Sequence, residues 1–131
     1  MIPAIIREDA SEIVEAYLKS RPDRLISDFA AAEVASALSR LVRTGLLGTA
    51  EAIVRLADFA AWRAATSSPI EIHAADVRLA YAYVCRFELM LRAPDALHLA
   101  IARRLDAVLA TRDRRLANAG RELGVDIEVV I

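Results

Sequence analysis

Three acidic residues in this 131-residue chain stand where packing gives no obvious reason for a carboxylate. Asp95 opens the apolar stretch "DALHLAIARRL", Asp113 follows the short apolar run "AVLAT", and Glu33 lies among alanines and valine in "FAAAEVASAL". Each has an ordinary explanation alone. Asp95 and Asp113 can cap helices or complement a helix dipole. Glu33 can face water between alanines or pair with an arginine, since an unpaired buried carboxylate costs on the order of several kcal/mol.

Taken together, the three suggest metal chemistry. Hard divalent cations such as Mg²⁺ and Mn²⁺ take oxygen ligands and keep several waters. Three or four carboxylates can hold one or two such ions, which lower the pKa of a bound water and orient it for in-line attack on a phosphodiester. That chemistry needs no cysteine, no serine nucleophile and no obligatory histidine. His98 falls three residues after Asp95, on the same helix face, and either touches substrate or packs half-buried. Thr111 precedes Asp113 by two residues and can position it, bind a metal water, or serve as a strand-end hydrogen-bonding group.

The remaining composition narrows the alternatives. Apolar residues make up 56% and charged residues 27%, as in an ordinary globular chain. Aromatics are only 5%, so stacking platforms for single-stranded nucleic acid are not advertised. The net charge of −1 gives no global pull on phosphate, so a nucleic-acid substrate needs local cations or a metal. The arginines Arg103, Arg104, Arg112, Arg114, Arg115 and Arg121 form either a solvated helix face or a phosphate-positioning rim. Cys85, the single cysteine, reads as a buried, inert thiol. No membrane span or secretory signal is visible, so a cytoplasmic location is expected.

Short apolar strands alternate with amphipathic helices. Strands are expected at 24–27, 70–73, 107–111 and 127–131. Helices are expected at 9–20, 29–44 with Asp28 as its cap and Gly45 after it, 50–65, 75–91, 95–105 and 112–123. No linker or repeat interrupts them, so residues 1–131 read as a single domain. The alternation implies an α/β fold, a parallel sheet covered by helices on both faces, with ligands beyond the carboxyl ends of the strands. Asp113 and Glu33 then lie near that edge, and Asp95 can reach it from a helix N-terminus.

The stretches "LISDFAAAEVASALSRLVRTG" and "APDALHLAIARRLDAVLATRDRRLANAGRELGVDI" resemble the PIN-domain ribonucleases, and more closely the VapC-type toxins of bacterial toxin–antitoxin pairs. The ordered set of Glu33, "DALHLA" with Asp95, and "LATRD" with Thr111 and Asp113 carries the resemblance. It implies Mg²⁺- or Mn²⁺-dependent RNA cleavage, with Glu33, Asp95 and Asp113 as catalytic metal ligands, homodimers, and an antitoxin that blocks the site.

The family's first acid ends its first strand, and two alignments compete for it. In one, residues 1–20 match the helices after that strand, so the strand and its aspartate are absent. In the other, "MIPAII" is the strand and Asp9 the acid. The first is preferred, because the second puts Arg7 and Glu8 in a central parallel strand that is normally apolar. A chain without the first acid also fits a second function, a catalytically impaired binding or dimerisation module that uses "FAAAEVASALSRLV" and "AIVRLADFAAW". A nucleotide-binding regulator is disfavoured, because no glycine-rich phosphate loop occurs among four glycines.

Overall fold

The computed structural model describes residues 26–66 and 69–129. The expected helix at 9–20, the segment "MIPAII" and Asp9 lie outside the described residues. The chain divides into two compact units, residues 1–71 and 72–131.

In the first unit, β1 (Ile26–Ser27) leads into α1 (Asp28–Arg43), α2 (Thr49–Thr66) and β2 (Pro69–Ile70). The strands pair in parallel, Ile26 beside Pro69 and Ser27 beside Ile70. A parallel pair needs a long crossover, which the two helices provide. Helix α1 buries Ala30, Val34 and Leu38, spaced four apart on one stripe, against Phe59, with Leu41, Leu47, Leu56 and Trp62 around them. The Phe59 and Trp62 rings lie 6.0 Å apart at a tilt of 37°.

The cap of α1 differs from expectation. Ser27, not Asp28, takes the position, its Oγ accepting the Ala30 N–H at 3.0 Å. Serine and aspartate cap about equally well, and the small side chain suits a buried site. Asp28 becomes the first helical residue, favoured there by the helix dipole, and accepts Arg63 Nη2 at 2.7 Å. The helix ends as expected, with Gly45 in the left-handed region at φ 76°.

The second unit contains α3 (Ala74–Val84), a 3₁₀ turn (Phe87–Leu89), α4 (Ala93–Arg104), β3 (Leu109–Thr111), α5 (Arg114–Glu122) and β4 (Ile127–Val129). Strands β3 and β4 are parallel, Leu109 opposite Ile127 and Thr111 opposite Val129. The strand expected at 70–73 shrinks to its first residue because His73 turns to cap α3, donating its backbone N–H to Asp76 Oδ2 at 2.9 Å. The helix expected at 75–91 stops at Val84, and Met90 turns the chain through a left-handed conformation (φ 55°). Cys85, expected to be buried, is exposed beyond the end of α3. Among the described residues no helix is long and apolar enough to cross a membrane.

Helix α4 is buried over Ala96, His98, Leu99, Ala100, Ile101 and Ala102, and α3 packs along it. Gly120 lets α5 close against both neighbours. A Cβ there would lie 2.6 Å from Ile127 Cδ1 and 2.9 Å from Leu99 Cδ2, and Leu99 is fully buried. Overpacking of this kind costs about 1–3 kcal/mol, while alanine recovers roughly 1 kcal/mol of helix propensity. We expect Gly120→Ala to lose about 1 kcal/mol net in chemical denaturation; a gain in stability would show that the α5 junction is slack.

Candidate active site

The local sequence brings Asp95 and Asp113 to one place. Pro94 in the first turn of α4 has no N–H to leave unpaired and presets the helical φ. Asp95 follows in that turn, half-buried, with Arg92 Nε 4.0 Å from its Oδ2. Asp113 stands at the end of the segment after β3. Its backbone N–H donates to Thr111 Oγ1 at 3.0 Å. Its Oδ1 accepts the Arg115 N–H at 2.9 Å and the Leu116 N–H at 3.2 Å, so it caps α5. Both cap bonds use one oxygen, which leaves Oδ2 outside the cap.

A cavity of about 330 Å³ is lined by Asp95 and Asp113, with Met90, Leu91, Arg92, Arg115 and Leu116 as the rest of its lining. Two carboxylates with room for water suit a hard divalent ion, because Mg²⁺ commonly takes one or two protein carboxylates and keeps several waters. Asp95 and Asp113 are the residues of this cavity that could hold it.

Glu33 belongs to the first unit. It is half-buried on α1, one position before the core residue Val34, on a helix that buries a single stripe rather than its whole circumference. Among the described residues, no three His, Cys, Asp or Glu side chains group as they would around a metal ion. The structure thus joins two of the expected acids on one cavity and places the third on a separate unit. His98 is buried in α4, in keeping with a packing role. Thr111 holds the Asp113 backbone, one of the roles expected of it.

Asp76 is a site the sequence did not reveal. Its carboxylate is 2% exposed and receives Arg104 Nε at 2.8 Å on Oδ1 and 3.1 Å on Oδ2. Burial pushes its pKa up, but the Arg104 hydrogen bond, the His73 N–H and the neighbouring positive charge outweigh that and hold it below the ordinary 3.8. The local signal that marks it is the three-residue spacing of His73 and Asp76, that of a cap and its reciprocal acceptor. The Arg104 partner, 28 residues away, had no sequence signal.

The PIN domain family model matches residues 2–122. A search of curated proteins gave no match. PIN domains are generally nucleases that act on RNA, and they usually use divalent metal ions such as Mg²⁺. With the family model covering nearly the whole chain and its two carboxylates on one cavity, this protein belongs to the PIN-domain family.

Proposed function

We propose that residues 1–131 form one PIN-type domain that cleaves RNA phosphodiesters with Mg²⁺ or Mn²⁺, as the toxin of a type II toxin–antitoxin pair. The observation that carries this reading is the shared cavity of Asp95 and Asp113. Glu33 is assigned as the third metal ligand from its matching place in the family pattern. A bound ion would supply a water of lowered pKa and offset charge developing on the phosphate. The chain's own contribution is rigidity. The α5 cap pins Asp113 Oδ1 and so aims Oδ2, and Thr111 fixes the backbone beneath it. The start of α4 fixes Asp95.

Homodimerisation and capture by an antitoxin complete the proposal. Exposed apolar side chains on α2 (Ile53, Val54) and α3 (Val77, Tyr81) support a partner-binding role. They also favour the second reading, a binding module without catalysis. Two measurements separate the readings. Glu33→Ala and Asp95→Ala should each lower Mn²⁺-stimulated RNA cleavage by at least about 10²-fold, more than the roughly 10–100-fold lost with an outer-shell partner. Unchanged activity in either variant would refute that residue's role. Calorimetric titration with Mn²⁺ should show a site that EDTA abolishes, whereas the binding-module reading expects none.

A further inference from the structure

The cavity that holds the acid pair also holds two arginines, and the acids do not account for them. Arg92 has its side chain 87% exposed, and its one ion pair among the described residues is the 4.0 Å contact with Asp95, the outer limit for such a pair. Arg115 lines the same cavity and makes no ion pair among the described residues. Arg104 provides the contrast, gripping a buried carboxylate at 2.8 Å and serving the fold. Exposed pairs at the distance of Arg92 contribute little to stability. Among the described residues, neither guanidinium is committed to a close ion pair.

The backbone nearby is strained as well. Met90, two residues before Arg92 and also on the cavity, holds the left-handed region at φ 55° with its side chain 64% exposed. A non-glycine residue there costs about 1–2 kcal/mol, and such strain is typically kept where a site must be shaped. Here it turns the chain out of the 3₁₀ turn toward Arg92 and the start of α4.

We infer that Arg92 and Arg115 bind the phosphates of an RNA strand on either side of the scissile one. This rests on the nuclease reading of Asp95 and Asp113. The chemistry fits: a guanidinium presents a planar fork of donors that matches a phosphate in two-point contact. With a net charge of −1 the chain has no long-range pull on RNA, so local cations must supply the grip. The acids would take the metal cation and the arginines the anionic backbone, so each is met by groups of opposite charge.

Three variants, Arg92→Ala, Arg115→Ala and Arg121→Ala, test the assignment. Arg121 lies in the last turn of α5, away from the cavity lining, and controls for loss of one positive charge. Affinity for a short single-stranded RNA is measured in Ca²⁺ across a salt series, with Mn²⁺ binding followed separately by calorimetry. Arg92→Ala and Arg115→Ala should each bind RNA about 10-fold more weakly and lower the log–log salt slope by about 0.7. Both should bind Mn²⁺ at least as well as the parent, and Arg121→Ala should match the parent throughout. Parental RNA affinity and slope in the two variants, with Mn²⁺ binding intact, would overturn the arginine assignment and leave the metal reading standing. Failure of the parent chain to bind Mn²⁺ would overturn both.

Discussion

Asp113→Asn is expected to abolish RNA cleavage while leaving the fold nearly as stable as before, and Asp113→Ala to lose both. The two outcomes follow from the two jobs of one side chain. Oδ1 caps α5 through the Arg115 and Leu116 N–H groups. Asparagine has an oxygen for the same bonds and is as good a cap as aspartate, so it costs only a few tenths of a kcal/mol. Alanine removes the acceptor and costs about 1 kcal/mol. Neither provides an anionic Oδ2 for a divalent ion, so both should lower Mn²⁺-dependent cleavage by at least about 10²-fold. Thermal melts beside a cleavage assay separate the two effects. Retained activity in Asp113→Asn would mean that Asp113 only caps its helix.

The largest expected effect on stability lies at Asp76. Replacing it by alanine removes the buried carboxylate that Arg104 grips at two oxygens and leaves the His73 N–H without its acceptor. Breaking a buried pair from one side costs about 3–5 kcal/mol. Arg104 is 25% exposed and can recover some hydration, so the low end, about 3 kcal/mol, is expected. At this chain length that is a fall in melting temperature of roughly 10 °C. The same pair predicts a pH dependence. Asp76 holds a lower pKa folded than the ordinary 3.8 it has unfolded, so the unfolded chain binds its proton first as pH falls. The stabilisation is complete above that ordinary value and drains away as pH drops through the folded one. Denaturant melts from pH 6 to pH 3 should show this acid loss in the parent and a flatter profile in Asp76→Asn. Equal slopes would remove Asp76 as its source.

Local signals were readable where a residue acts through its neighbours in the chain. Pro94 at the start of α4, the turn at Gly45 and the alternation that yields parallel pairs are of this kind. Cap choice was less readable, because Ser27 and Asp28 are near-equal candidates and tertiary surroundings decide between them. Distant side-chain partners have no such signal: Arg104 and Asp76 stand 28 residues apart, and Arg92 and Arg115 line one cavity from separate segments. Cys85 misled because an apolar neighbourhood in sequence became the exposed end of a helix. Of the candidate site, Asp95 and Asp113 are singled out by residue type and by the family resemblance, and the fold puts both on the lining of one cavity.

The central claim is that Glu33, Asp95 and Asp113 ligate the same divalent ion. Loading the chain with Fe²⁺ and adding ascorbate and peroxide cuts the backbone next to wherever the ion binds. We predict cuts beside all three residues, each suppressed by excess Mg²⁺. Cuts confined to the segments around Asp95 and Asp113, with the region of Glu33 intact, would contradict it.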